Sequence, residues 1–388
     1  MKPQKLIAAL LLIFISNSSL SSQKFSFDGN LAPALSFSKI SERLLPLPHP
    51  QSAQTAETKY TYSGIPAYAF SDETQFTPIL LNAIKNTNYA LDVALYNINI
   101  PALARALLSA RERGVKVRLV FDLGHVKPYM RKQIKYLKDN KMDIRVMRGK
   151  GGSGSMHNKY AVFDGQLLQT GSANWTFTAQ NNNYENMMFT ADKTILDGYE
   201  KNFEWMWTHS KSIYNLEAKY PPFSPPPADP NPSVYFNGRI LPKYAFSPRS
   251  GTQSNIIKAI NAARKEINVA MFTFTSKPIF QALVQAAQRG VKVRLLLFAG
   301  QKFPFFYEAV SAKNITLKFS PGRVERGMMH NKYAVFDNKL LINGAYNWTF
   351  TAEMKNAENT IFTTNPVYIS GYKKKFEQLF STGYYPSY

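Results

Sequence analysis

The sequence predicts an α/β protein made of two tandem copies of one sandwich domain, each with a mixed sheet, and three observations predict it. First, a nine-residue block, Met-His-Asn-Lys-Tyr-Ala-Val-Phe-Asp at 156–164, recurs letter for letter at 329–337. Arg-Gly-Val-Lys-Val-Arg at 113–118 recurs at 289–294, and Tyr-Ala-Phe-Ser at 68–71 recurs at 244–247. Collinear matches offset by 176 and then 173 residues mark a duplicated domain, the second copy being three residues shorter between them. Second, strand and helix signals alternate along each copy, the pattern of a layered α/β fold. Third, seven prolines between Pro221 and Pro232 forbid helix or inner strand and predict an extended linker between the copies.

Taken in order, Lys2 and Lys5 precede an apolar run at 6–15 and small polar residues through Ser22, the order of a secretory signal peptide over 1–22. That run is shorter than the roughly 20 residues a spanning helix needs. Export, to a periplasm or the medium, is therefore expected. Residues 23–60 lack periodicity and read as a flexible leader. The first repeat is placed at 61–215. In it, 91–96 reads as a short strand, and Pro101 opens a helix with Leu103, Leu107 and Ala110 on one face that Gly114 closes. A strand at 115–121, a basic helix from His125 to about Asn140, a strand at 143–147 and a Gly/Ser-rich loop at 148–155 follow. The duplicated block then reads as one strand running on through Leu167 and Leu168 to Gly171. A last helix carries Ile195, Tyr199, Phe203 and Met206 on one face, mirrored by Tyr372, Phe376 and Leu379. The linker is set at 216–234 and the second repeat at 235–388.

Composition bounds the chemistry. A hydrophobic fraction of 45% supports a sizeable core. The charge of +22, or +20 once residues 1–22 are removed, makes polyanions the leading partners, whether nucleic acid or an anionic lipid surface. With no cysteine, disulfide scaffolds, thiolate zinc sites and cysteine nucleophiles are excluded. Of the five histidines, His157 and His330 recur in the duplicated block, whereas His125 and His209 read as surface residues.

The block has the form H-x-K-x4-D: His157, Lys159, Asp164 and His330, Lys332, Asp337. On a strand, residues two apart share a face, so each histidine projects beside a lysine. The lysine disfavours a cationic imidazole and supplies positive charge for a bound phosphate, next to which a neutral imidazole is a competent nucleophile. Downstream lie G-S-A-N-W-T and N-Y-E-N in the first copy, G-A-Y-N-W-T and N-A-E-N in the second. Asn174 and Asn347 are candidate donors to phosphate oxygens. Glu185 and Glu358 are candidates to hold the second imidazole nitrogen and fix its tautomer. Asp164 and Asp337 complete the candidate set, with a turn or an ion pair behind the site as their alternative role. Ser172 is a candidate substrate contact on one side only, since Ala345 replaces it in the second copy.

Paired H-x-K-x4-D motifs followed by G-[SA]-x-N-W-T and N-x-E-N resemble the phospholipase D superfamily over about 60–215 and 235–385, most closely its bacterial endonuclease and cardiolipin hydrolase-like branch. The resemblance implies two phospholipase D-like α/β sandwich repeats related by a pseudo-twofold, with one active site at their interface and no metal or other cofactor. It implies that one histidine attacks phosphorus to form a phosphohistidine while the other protonates the leaving oxygen and then activates water. Family precedent favours His157 as the nucleophile. Three substrate readings follow. One is hydrolysis of phospholipid headgroup phosphodiesters, releasing phosphatidate, with the Phe303-Pro304-Phe305-Phe306-Tyr307 run as a rim touching a lipid surface. The second is a metal-independent endonuclease, and the third a non-catalytic envelope-binding protein. The two fused copies imply a monomer that is internally a dimer.

Overall fold

The computed structural model describes residues 62–150 and 154–386. The signal peptide and leader expected over 1–60 lie outside these residues, as do 151–153 of the Gly/Ser-rich loop. No helix among the described residues is long and apolar enough to cross a membrane.

The first repeat holds strands β1 (Tyr68–Phe70), β2 (Ala90–Leu95), β3 (Lys116–Asp122), β4 (Asp143–Met147), β5 (Lys159–Phe163), β6 (Leu167–Gly171), β7 (Asn186–Thr190) and β8 (Lys211–Ser212). Its helices are α1 (Phe76–Lys85), α2 (Pro101–Glu112), α3 (Lys132–Asp139), α4 (Phe177–Asn181) and α5 (Lys193–Thr208). The strand order is β1-β7-β6-β5-β2-β3-β4-β8, with β2, β3 and β4 parallel and the other pairs antiparallel. The second repeat begins with a hairpin, β9 (Val234–Phe236) and β10 (Arg239–Leu241). Strands β11 (Tyr244–Ser247), β12 (Glu266–Met271), β13 (Lys292–Phe298), β14 (Ile315–Ser320), β15 (Lys332–Phe336), β16 (Leu340–Gly344) and β17 (Glu358–Thr363) follow. Their order, β11-β17-β16-β15-β12-β13-β14, repeats the first sheet without its last strand. Helices α6 (Thr252–Ala262), α7 (Lys277–Gln288), α8 (Phe306–Ser311), α9 (Phe350–Met354) and α10 (Pro366–Thr382) complete it. The sheets are therefore mixed and doubled, as the sequence predicts. From Lys219 to Pro230 the linker forms neither helix nor strand.

Two local readings differ. The duplicated block is not one long strand: Asp164 and Gly165 take positive φ and fold β5 back onto β6 as a hairpin. The basic helix is interrupted too, with a short 3₁₀ turn at Leu123–His125 and α3 starting only at Lys132.

Burial explains the near-continuous apolar runs. Ala161 and Phe163 face the first repeat's own core, whereas Tyr160 and Val162 face a central core shared by both repeats. Ala334, Phe336, Tyr333 and Val335 do the same in the second. Strands covered on both faces need apolar residues at every position. The shared core is filled by α5 and α10, including Tyr199, Phe203, Tyr372 and Phe376. The repeated arginine fastens these helices. Arg118 bonds Asp92 through two nitrogens at 2.7 and 2.6 Å and lies over the Phe203 ring, while Arg294 bonds Glu377 and lies over Phe376. Mid-helix Gly198 and Gly371 have a packing reason: a Cβ on Gly198 meets the Tyr244 ring, and one on Gly371 meets Tyr68. Each repeat thus presses a tyrosine of the edge strand of its main sheet, β1 or β11, onto the last helix of the other.

Candidate active site

The motif segments meet at the seam between the repeats. His157 N donates to Ala357 O (2.8 Å) and Ala357 N to Ser155 O (2.9 Å); reciprocally, His330 N donates to Tyr184 O (2.9 Å) and Tyr184 N to Met328 O (2.8 Å). Beneath them Asn359 Nδ2 donates to Asn158 Oδ1 and Asn186 Nδ2 to Asn331 Oδ1, both at 2.8 Å and fully buried. The sequence gives none of these four asparagines a role, although Asn186 and Asn359 close the N-x-E-N motifs. The signal was present, since Asn158 and Asn331 lie inside the duplicated block.

Across this seam the carboxylates are exchanged. His157 Nδ1 lies 2.7 Å from Glu358 Oε2, and His330 Nδ1 lies 2.8 Å from Glu185 Oε1. The His157 pair is an aligned hydrogen bond. The His330 pair is equally close but off-line, so that Nδ1 has no well-directed hydrogen bond. Each repeat therefore orients the other's histidine. Both carboxylates are sealed from solvent at 0% exposure, while the imidazoles reach it at 13% and 8%. No described group bonds either Nε2, so both outer nitrogens are available to a ligand.

Lys159 Nζ donates to His157 O (2.6 Å) and Lys332 Nζ to His330 O (2.5 Å), which holds each ammonium at the root of its histidine. Lys159 also sits over the Tyr96 ring and Lys332 over Phe272. Burial lowers all four groups. Lys159 falls to about 8, with Glu358, Glu185 and Asp122 opposing the fall. Burial, reinforced by the charge of Lys159, drives Lys332 well below the ordinary lysine range against the pull of Glu185 and Glu358. Burial takes His330 down to about 4 and lowers His157, with the neighbouring lysines adding to both effects and Glu185 and Glu358 opposing them. Free imidazoles here are neutral at physiological pH.

The remaining candidates divide. Ser172 is fully buried and does not face a ligand: its hydroxyl donates to Glu185 Oε2 (2.6 Å) and accepts from Asn186 N (3.0 Å). Glu185 is thus braced by Ser172 and Asn183, whereas Glu358, besides its bond to His157, accepts from Asn356. Asn174 and Asn347 stand on equivalent turns, each with an Oδ1 unpaired among the described residues and no bond to the histidines. Asp164 and Asp337 are outside the site, which corrects their place in the candidate set. Asp164 accepts from the backbone N–H of Asn88, Tyr89 and Ala90 and from the Tyr62 hydroxyl. Asp337 accepts from the N–H of Arg264, Lys265 and Glu266 and from Asn237. Each carboxylate staples the far end of the central strands.

Two other expectations are corrected. His125 is buried rather than superficial, its ring edge-on to Tyr96 at 4.5 Å. His209 is half-exposed, as a surface residue can be, and bonds Trp205 O and the Ser224 hydroxyl. Phe303 and Phe305 pack among Phe274, Phe280 and Trp348, leaving Tyr307 as the exposed aromatic of that run. Among the described residues no three His, Asp or Glu side chains gather as metal ligands.

Two sheets of one design, joined so that paired His-Lys motifs share carboxylates, define a duplicated phosphodiester-site architecture. The chain belongs to the phospholipase D-like family: the model described as "Cardiolipin synthase, PLD-like domain" matches residues 80–207 and 256–380. It is 34% identical over 135 residues to the mitochondrial cardiolipin hydrolase of Xenopus tropicalis, a match covering 35% of this chain and 62% of that protein. It is 36% identical over 120 residues to a phospholipase D of Rickettsia prowazekii, covering 30% and 56%. The chain thus spans about three fifths of the length of these relatives. The fold is similar to that of the phosphatidylserine synthase of Haemophilus influenzae, with a TM-score of 0.60 at 11% identity over 81% of this chain and 86% of that one.

Proposed function

We propose that the protein is a phosphodiester hydrolase acting through a covalent phosphohistidine. The observation that carries this is the pair of imidazoles, each with Nδ1 turned to the other repeat's carboxylate and Nε2 open, beside two buried lysines. His157 Nε2 attacks phosphorus, the bond to the leaving oxygen breaks, and His330 Nε2–H protonates that oxygen. His330 then takes a proton from water, whose oxygen attacks phosphorus and breaks the P–N bond, releasing the monoester and free His157. The substrate's negative charge opposes the low proton affinity of His330, so binding itself charges the acid. Glu358 holds His157 as the tautomer with Nε2 unprotonated, and the better-aligned bond on that side favours it as nucleophile. Positive charge carried by the lysines at the seam meets the equatorial oxygens. Asn174 and Asn347 are retained as donors to the phosphate from the rim.

As substrate we propose phospholipid headgroup phosphodiesters, met at a membrane surface by an exported monomer. The relatives named phospholipase D and cardiolipin hydrolase support this. A metal-independent nuclease is the second reading, favoured by the +22 charge and by the packing of Phe303 and Phe305 into the core instead of onto a lipid rim. The test is purified protein in EDTA with phosphatidylcholine, cardiolipin, single-stranded DNA or plasmid. Phosphatidate release supports the first reading, nicked or shortened DNA the second. His157→Ala and His330→Ala each abolish either activity; full turnover in either variant, or loss of wild-type turnover in EDTA, sinks the mechanism.

A further inference from the structure

The seam is symmetric in its histidines, lysines and carboxylates, but the wall behind them is not. At the end of β3 stands Asp122, buried at 4% exposure; the equivalent end of β13 carries Phe298. Asp122 Oδ1 accepts from Gly124 N and Oδ2 from Met156 N, both at 2.8 Å. Met156 directly precedes His157. The next positions follow suit. His125 packs against Tyr96 at 4.5 Å and Tyr96 against His157 at 5.0 Å. In the second repeat Phe298 stacks on Phe272 at 5.4 Å, and Phe272 packs against His330 at 4.5 Å. One half of the site is backed by an anion and the other by benzene rings.

We propose that Asp122 is a positioning residue that makes the paired site one-sided: through Met156 it fixes the segment bearing His157, and through its charge it makes Lys159 the cation that meets the substrate phosphate. The inference deepens the phosphodiesterase reading and rests on it for the identity of the phosphate. Lys159 is faced by three carboxylates, Glu358, Glu185 and Asp122. Glu185 and Glu358 also act on Lys332, whereas Asp122 is among the leading influences on Lys159 alone of the two. His157, His330, His125 and Lys332 each feel Lys159 as a repelling charge, while Tyr96 feels Asp122 and Glu358, and Arg131 acts on both Tyr96 and His125. Burial pushes the Asp122 carboxyl up, but both backbone N–H groups and the charges of Arg148 and Lys159 favour its anion. Two buried ammonium groups side by side repel, so the site holds one proton more firmly than the other. A single extra carboxylate decides which lysine keeps it.

The experiment compares wild type with Asp122→Asn, which removes the charge and keeps one acceptor. Hydrolysis of bis(p-nitrophenyl) phosphate is followed from neutral to alkaline pH. Binding of inorganic phosphate is measured by calorimetry over the same range. A lysine is cationic below its pKa, so losing the anion moves the alkaline loss of kcat/KM and of phosphate binding to lower pH, by roughly 0.5–1 unit. An unmoved alkaline limb in a folded Asp122→Asn protein overturns the proposal. If wild type hydrolyses no phosphodiester yet its phosphate binding shifts as described, the functional reading fails and this inference stands. Should Asp122→Asn melt early, an NMR titration of the lysine side chains in wild type replaces it. Lys159 must then titrate above Lys332, and the reverse order overturns the proposal.

Discussion

Replacing Asp337 by alanine decides whether the third residue of the motif works on substrate or on the fold. Its carboxylate takes three backbone N–H bonds, at 2.8, 2.7 and 2.9 Å from Arg264, Lys265 and Glu266, and a fourth at 2.6 Å from Asn237. The turn leading into β12 is therefore organised around one side chain. Alanine orphans all four donors. These bonds are only part-buried, so water replaces part of the loss, and about 1 kcal/mol for each backbone bond is appropriate, or about 3 kcal/mol in all. For a unit of this size roughly 2–4 °C accompanies each kcal/mol, and the melting temperature should fall by about 6–12 °C. The pH dependence is a second signature. Burial pushes this carboxyl up, but the three N–H groups and Asn237 outweigh it and hold it below its ordinary value of 3.8. A depressed folded-state value contributes stability that is fully present above the unfolded value and is lost as pH falls through the folded one. The gap between wild type and Asp337→Ala should thus be full at neutral pH and close in acid. The assay is thermal melting across pH, with kcat measured on the folded fraction well below the melting point. An unchanged melting temperature together with a kcat reduced roughly hundredfold would place Asp337 among the catalytic groups and refute the reasoning.

Glu358→Gln should cost kcat two to four orders of magnitude, roughly what neutralising a buried histidine-orienting carboxylate costs elsewhere, with the fold intact by circular dichroism. An unchanged kcat there would mean the exchanged carboxylates do not orient the rings. Gly198→Ala should lower the melting temperature by several degrees although alanine gains about 1 kcal/mol of helix propensity, because the added Cβ meets the Tyr244 ring across the repeat boundary. A melting temperature above wild type would show that the two repeats are not locked there.

The histidines and lysines were legible because duplication repeats their neighbours letter for letter, and a lysine beside a histidine has no ordinary role in a core. The sheets were legible for the same reason, with alternation and linker prolines marking their limits. What failed did so where geometry depends on contacts between segments distant in sequence, within a repeat or across the seam. The N-x-E-N motif shows that a glutamate is available, but not that Glu358 serves His157 and Glu185 serves His330, since that exchange exists only after the repeats dock. Ser172 looked like a substrate contact because its hydroxyl is one-sided; the pairing of β6 with β7 inside the first repeat instead turns it onto Glu185. Asp164 was grouped with His157 by motif spacing alone. A strand advances about 3.3 Å per residue, so five residues carry it roughly 16 Å from Lys159, to the end of the sheet where three backbone N–H groups and the Tyr62 hydroxyl await it. Phe303 and Phe305 read as a rim because nothing local shows that Phe274, Phe280 and Trp348 form a socket for them. Asp122 was invisible for the opposite reason: the duplication hides whatever the copies do not share, and Phe298 stands in its place. In a duplicated site, repetition therefore locates the groups that handle the phosphate. Asymmetry, such as Asp122 opposite Phe298 and Ser172 opposite Ala345, locates the groups that give the two halves unequal work.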